Sequence, residues 1–416
     1  MTPRERIAST VKHQAPDRVP IDLAAMRSTG IMSIAYNGLK ERLGFGSLAS
    51  RMYDLVQQLA YPDSEVLDRF QIDAVDLGNL LTQDGSLWKD WRLPDGSDCK
   101  VPNWFDPIYN KEKKRLELLD SEGDLIGVMP DGCLYFEQSC YPLADGNIPA
   151  TTEALRKKMA KVIWDYLPCS PWDMAQEADY WEWLSKAAAR ARASTDRAIM
   201  LGFGGNLLEW GQMLCSNENF LMMLAAEPKK AARLLDMLTE IHLENLEKVI
   251  QAVNHSVDIL QMGDDLGMQK GMQISPEMYR RLFKLRHQKI YRYVKDHSDM
   301  FVFMHNCGST SAVLGDLIDI GVDILNPVQT SAAGMDPKKL KDEFGRDITF
   351  WGGGCETQGI LWSGTLREVE EHVKERIDIL APGGGFVFNQ VHNIMADIPP
   401  ENVVAMLDAA LTYGGY

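Results

Sequence analysis

The 416-residue sequence has no unbroken apolar run of the roughly 18 residues that a membrane-spanning helix needs. Its opening, MTPRERIASTVKHQAPDRVP, is charged and lacks an apolar centre, so no secretory signal is expected. Positive charge is scarce: 43 Lys and Arg stand against 59 Asp and Glu, a net charge of −16. Such a field repels phosphate, so neither nucleic acid nor an anionic membrane is expected as a partner. The seven cysteines lie at 99, 133, 140, 169, 215, 307 and 355, with no CxxC pair. An odd, scattered set is no disulfide framework, and the expected location is a reducing cytoplasm. No GxGxxG opens a helix after a first strand, which argues against a dinucleotide-binding sheet. Apolar residues at 45% and charged residues at 25% suit a folded globular chain.

What is present is alternation. Residues 1–14 read as a helix, with Thr2 and Glu5 as a capping box and Pro16 and Pro20 beyond its end. Helical spacing recurs over 151–167 and 172–194. Residues 84–125 differ in texture: DGS, PDGSD, the tryptophans 88, 91 and 104, and a charged run. This stretch is read as a β-rich insertion. From about 195, short apolar runs alternate with helical text: AIMLGFGG, VDILQMGDD, FVFMHNCGS, VDILNPVQ, ITFWGGGCETQ and GFVFNQVHN. A helix starts at Ser275-Pro276. Units of this kind predict parallel strands with helical crossovers. The expected fold is α/β, a single (β/α)8 TIM barrel spanning residues 1–416, with an N-terminal extension and the 84–125 insertion inside it.

Each apolar run ends in polar or glycine text, and the strand C-termini of a parallel barrel meet at one face. Asp264, Asp265, His305, Cys307, Asn326, Gln329, Cys355, Glu356, Asn389 and His392 are expected to converge there. His305 and Cys307 are two apart at a strand end, and imidazole and thiolate are ligands zinc prefers. Cys355 and His392 end later strands and compete for the third ligand position. Alone, each has a plainer reading: a small buried thiol, or a hydrogen-bonded core histidine. Asp264 and Asp265 are adjacent and must point apart, so one serves the pocket and the other caps a turn. Arg27, in MRSTGI, is a candidate carboxylate clamp, with a surface ion pair as the alternative. Gln329 and Asn389 join Asp264 as candidate substrate contacts. The methionines between 195 and 280 fall at helical spacings and read as core.

RERIASTVKHQAPDRVPID, QMGDDLG, ISPEMYRR, VDILNPVQ, WGGGCETQ with GTLREVEEHV, and GFVFNQVHNIMADIPPENVVAM occur in this order. In that order the chain resembles the uroporphyrinogen decarboxylase superfamily over nearly its full length. The resemblance implies a (β/α)8 barrel and two alternative chemistries. Against the decarboxylases, Arg27 matches one of two arginines, but Ile31 occupies the second position. Asp265 stands where they have serine, Gln212 falls about where they have tyrosine, and His392 matches their histidine. The sequence is closer to the branch of zinc-dependent methyltransferases that work with corrinoid proteins. There His305 and Cys307 match an HxC motif. Spacing to PPEN puts that branch's later cysteine at His392, with Cys355 one strand earlier, and an acidic ligand of some members would fall near Val328 or Gln329.

The resemblance therefore implies a methyltransferase with zinc on His305 and Cys307. Cys355 is taken as the third ligand, because thiolate binds zinc strongly and the glycines beside it leave room for a metal, although the spacing to PPEN favours His392; His392, Asp265 and Arg27 are then the candidate catalytic residues. Its partners would be a small-molecule substrate and a corrinoid-carrying protein, and barrels of this family often form a homodimer. The alternative is a metal-free decarboxylase of a smaller carboxylated substrate. In that case Arg27 holds the carboxylate, and Asp265 or His392 protonates the carbanion. A third class is a binding protein that keeps the barrel without chemistry.

Overall fold

The computed structural model describes residues 1–45 and 49–416. Seven parallel strands form one curled sheet, ordered Phe386–Val387, Thr349–Trp351, Ile324–Asn326, Phe301–His305, Ile259–Gly263, Ala198–Gly204 and Ala74–Asp76. The two edges are joined through the segment 20–22. Ile21 makes a parallel bridge to Phe388. The Asp22 N–H donates to the Phe388 carbonyl at 2.9 Å, and the Asp73 N–H donates to the Ile21 carbonyl at 2.8 Å. The architecture is a TIM-like barrel. Among the described residues, no helix is long and apolar enough to cross a membrane.

Side chains alternate across the pleat of each strand. One set, Ala74, Ala198, Met200, Ile259, Phe303, Ile324, Trp351 and Val387, packs with Ile7 and Val11 in a single buried cluster. This is the filled barrel interior. Ile7 and Val11 belong to the helix Pro3–Val11, whose Thr2–Glu5 capping box forms as expected. The other set, including Ile199, Leu260, Val302, Leu325 and Phe350, packs in the larger buried cluster with the surrounding helices.

An aspartate precedes three of the strands and repeats one device. The Asp73 carboxylate accepts the Ile21 N–H at 2.7 Å, Asp258 accepts Ile199 N–H at 2.8 Å, and Asp323 accepts Val302 N–H at 2.8 Å. Each carboxylate also meets a basic side chain: Arg6 and Arg18 on Asp73, Arg4 and Arg192 on Asp258, Lys295 on Asp323. The device ties the start of one strand to its neighbour and satisfies an otherwise orphaned donor.

Residues 50–138 are rich in strands, beyond the 84–125 expected. One sheet orders Leu59–Tyr61, Ser50–Asp54, Asp98–Pro102 and Trp88–Arg92; a second orders Ile108–Asn110, Arg115–Leu119, Leu125–Pro130 and Glu137–Gln138. They share a small core that includes Met52, Val101, Phe105, Ile126 and Phe136. The expected tryptophan group is divided. Trp88 is buried with its indole N–H on the Thr82 carbonyl, Trp91 packs on Phe105, and Trp104 is exposed. The methionines are mostly core, but Met222 and Met268 are exposed. The helix begun at Ser275 is interrupted at Phe283 and continues as Lys284–His297.

Candidate metal centre

The strand Phe301–His305 delivers His305 to the barrel mouth, and Cys307 follows two residues later. The Cys307 Sγ lies 3.2 Å from His305 Nε2. Gly308 follows with φ +79°, a left-handed conformation that a side chain resists. A Cβ there would also lie 2.6 Å from backbone atoms of Gly267 and Met268. The loop after Cys307 is therefore pressed against the short hairpin Gly267–Met272, where the Ser309 N–H donates to the Met268 carbonyl. Gln329, expected at substrate, accepts the Gly308 N–H at 2.8 Å and donates to Gln269. It fastens this loop.

His392 completes the group. Its ring centroid is 5.6 Å from that of His305. One ligand atom each from His305, Cys307 and His392 lie within 4.8 Å of one another, with all three residues half-buried. Two imidazoles and a thiol are a donor set suited to zinc, and the spacing admits a shared ion. Burial, with some repulsion from His305, pushes His392 down to about 4, so its lone pair is free at neutral pH. Burial, and next the Asp265 and Glu209 carboxylates, hold the Cys307 thiol well above its ordinary value. A cation is what would reverse that.

Cys355 lies outside the group. It is fully buried, extends the backbone as a bridge to Gln390, and its Sγ is 4.0 Å from the Glu356 carbonyl. A Cβ on the preceding Gly354 would lie 2.5 Å from the Phe388 ring, so this stretch is tightly packed and not roomy.

The two neighbouring aspartates point apart. Asp264 is fully buried, accepts the N–H groups of Leu207, Leu208 and Glu209 at 2.8–3.1 Å, and meets His287 Nε2 at 3.1 Å. It caps the helix Leu208–Cys215 instead of facing the pocket. Asp265 does face it: Oδ1 accepts the Cys307 N–H at 2.8 Å and lies 3.7 Å from His305 Nε2. Gln212 donates to Gln273, which donates to the Asp265 carbonyl, a prop under the same loop. Asn389 is buried, its amide donating to the Asp22 carbonyl and to Gln390.

Arg27 sits in the turn 27–29, with Nε 3.0 Å from Asp54 and Nη2 2.8 Å from Cys169 Sγ, its guanidinium lying over Trp164. It is engaged on three sides. Its neighbour Ser28 reaches the site, donating to Asn326 Oδ1.

Glu209 is the site residue that sequence reasoning missed. It accepts the Asp265 N–H at 3.1 Å and holds Asn206. Burial first, then Asp265 and Asp264, raise it to about 8. An acid in the first turn of a helix reads as a dipole partner. The signal that could have found it is its place one turn after the Gly204-Gly205 strand end.

With this geometry in hand, three comparisons place the chain among known proteins. The family model described as uroporphyrinogen decarboxylase matches residues 145–413. A curated relative, the methylcobamide:CoM methyltransferase MtaA of Methanosarcina barkeri, is 24% identical over 228 residues. That match spans 54% of this chain and 61% of the relative. A solved structure, a methyltransferase from Methanosarcina mazei, superposes with a TM-score of 0.57 at 16% identity over 99% of both chains, a likeness of fold.

Proposed function

The chain belongs to the uroporphyrinogen decarboxylase family, and we propose that it is a zinc-dependent methyltransferase moving a methyl group between a small substrate and a corrinoid carried by a separate protein. The observation that carries this reading is the trio His305, Cys307 and His392, gathered within 4.8 Å at the mouth of the barrel. The methyltransferase relative, although matched over 61% of its length, supports it. We assign these three residues as the protein ligands, in preference to Cys355, because catalytic zinc takes three protein ligands and keeps a position for substrate. Zinc bound there would act as a Lewis acid, lowering the pKa of a substrate thiol or polarising the oxygen of a methyl donor.

The chain's own residues do the rest. Asp265 Oδ1 holds the Cys307 N–H and lies beside His305, fixing two ligands relative to each other. Glu209, at about 8, can accept a proton from an entering thiol or return one near neutral pH. The corrinoid protein would dock over the mouth. We read residues 1–416 as one (β/α)8 barrel, with Pro20–Asp22 as its first strand and 84–125 inserted in it. Seven unpaired thiols suit a reducing cytoplasm.

The rival, a metal-free decarboxylase, has less support. It would need Arg27 for the substrate carboxylate, yet Arg27 is held by Asp54 and Cys169. Ile31 supplies no second charge, and each lost charge-assisted contact is worth roughly 1.5–3 kcal/mol. The two readings separate in one assay. Methyl transfer from methylcobalamin to simple thiols is expected to require zinc, and uroporphyrinogen III is expected to remain intact. Full activity of metal-free protein, or uroporphyrinogen turnover of the order of 1 per second, would overturn the proposal.

A further inference from the structure

His305 can offer a metal only the ring nitrogen that carries no proton, so its tautomer decides whether the trio works. Three contacts around Asn326 fix that tautomer. Asn326 ends the strand beside that of His305 and is fully buried. Its Nδ2 donates to the Trp351 carbonyl at 2.9 Å. A backbone carbonyl only accepts, so the amide cannot be flipped: the reversed orientation would set oxygen against oxygen. Asn326 Oδ1 therefore faces the other way, towards His305 Nδ1 and the Ser28 hydroxyl, each at 2.8 Å. An amide oxygen has two lone pairs and no proton. Both neighbours must donate, and His305 Nδ1 must carry the hydrogen. Nε2 is then left with its lone pair, and Nε2 is the atom 3.2 Å from the Cys307 Sγ.

We propose that Asn326 is a positioning residue, which locks His305 as the Nδ1–H tautomer and so presents Nε2 to the point shared with Cys307 and His392. The usefulness of this arrangement rests on the metal reading above; the tautomer itself does not. The same oxygen accepts from Ser28, so the N-terminal turn that carries Arg27 is coupled through one amide to the orientation of His305. Partners of this kind commonly set metal affinity by a factor of 10–100.

The test has two arms. In metal-free protein labelled with 15N-histidine, long-range proton–nitrogen correlation reads which nitrogen of each neutral ring is protonated. Comparison with His305→Gln assigns the signal among the eight histidines. His305 is expected to show a protonated Nδ1 and a bare Nε2; a protonated Nε2 would overturn the inference, whether or not the protein binds metal. The second arm measures zinc affinity by competition with a chromophoric chelator. Asn326→Leu is expected to bind about 10–100-fold more weakly. Asn326→Asp keeps the acceptor and loses the donor to Trp351, and is expected to stay within about threefold of native. Equal loss in both variants would mean that the Trp351 bond, a purely structural contact, sets the affinity. Native affinity in Asn326→Leu would also reject the proposal. A native protein that binds no zinc at all would reject the metal reading alone and leave the tautomer arm to decide.

Discussion

At the closed end of the barrel, Arg6 and Arg18 converge on Asp73, Arg4 and Arg192 on Asp258, and Lys295 on Asp323. At the open end, Glu209, Asp265 and Cys307 converge. Among the described residues, no lysine or arginine lies within ion-pair distance of either carboxylate. Asp265 meets only His305 in this way, and Glu209 is pushed up to about 8 by its acidic neighbours. The same residue types thus serve opposite ends. Where every acid has a cation, the cluster joins strands and has no valence left over. Where acids, a thiol and two imidazoles gather without one, the protein carries an electrostatic cost that a bound cation would relieve.

The largest expected effect breaks the closed end. Asp73→Ala removes the carboxylate partner of Arg18, one of the two carboxylates on Arg6, which keeps Asp17, and the acceptor of the Ile21 N–H. Loss of about 3–5 kcal/mol of stability is expected by denaturant titration, while the folded fraction keeps native zinc affinity. A change in metal affinity would show that the two ends are not independent.

The second prediction concerns Asp22, buried inside the barrel with its carboxylate on the Trp351 indole and the Ala25 N–H. Burial raises it to about 6 despite those bonds. A carboxyl raised in the folded state binds its proton more tightly there than when unfolded. Its contribution is therefore full below about pH 4 and is lost as pH rises through about 6. Asp22→Asn cannot ionise; its single carbonyl oxygen keeps one of the two bonds, to Ala25 N–H or to the Trp351 indole, and the lost bond is a cost that does not vary with pH. Its stability relative to native is expected to climb by about 2–3 kcal/mol across that interval; a difference independent of pH would contradict the assignment.

A smaller effect sharpens the open end. Gly308→Ala places a Cβ at positive φ and against the backbone of the neighbouring hairpin. About 1–3 kcal/mol of destabilisation is expected, with weakened zinc binding, because the loop that presents Cys307 must shift. Unchanged metal affinity would mean that the loop is not a precise support.

The smallest effect belongs to Cys355→Ala. Removing a buried thiol from a packed site is expected to cost about 1 kcal/mol and to leave zinc content unchanged. Metal loss in this variant would return Cys355 to the ligand set.

How much of this the sequence announces depends on the range of the signal. The six apolar runs from 198 onward each contain a strand of the curled sheet, because a buried parallel strand needs only local apolar text. The segment 20–22 was not legible. It begins at Pro20, shortly after Pro16, makes one bridge, and carries no apolar run to mark it as a strand. The strands at 50–61 were missed: Ser50–Asp54 and Leu59–Tyr61 form a local antiparallel hairpin whose register is irregular, and the pairing of Ser50–Asp54 to 98–102 is long-range. At the site, His305 and Cys307 were legible as two donors at one strand end. Between His392 and Cys355 the sequence pointed both ways: the spacing to PPEN favoured His392, while thiolate chemistry favoured Cys355, and the path of the chain after Phe388 brings His392 beside His305. The pairing of Asp264 with a helix N-terminus 56 residues earlier, at Leu208, is likewise tertiary.

The most direct measurement is metal content by elemental analysis of purified native protein and of three variants: His305→Ala with Cys307→Ala, His392→Ala, and Cys355→Ala. The account predicts about one zinc per chain in the native protein and in Cys355→Ala, and none retained in the other two. A metal-free native protein with full activity, or zinc lost from Cys355→Ala and kept by His392→Ala, would contradict it.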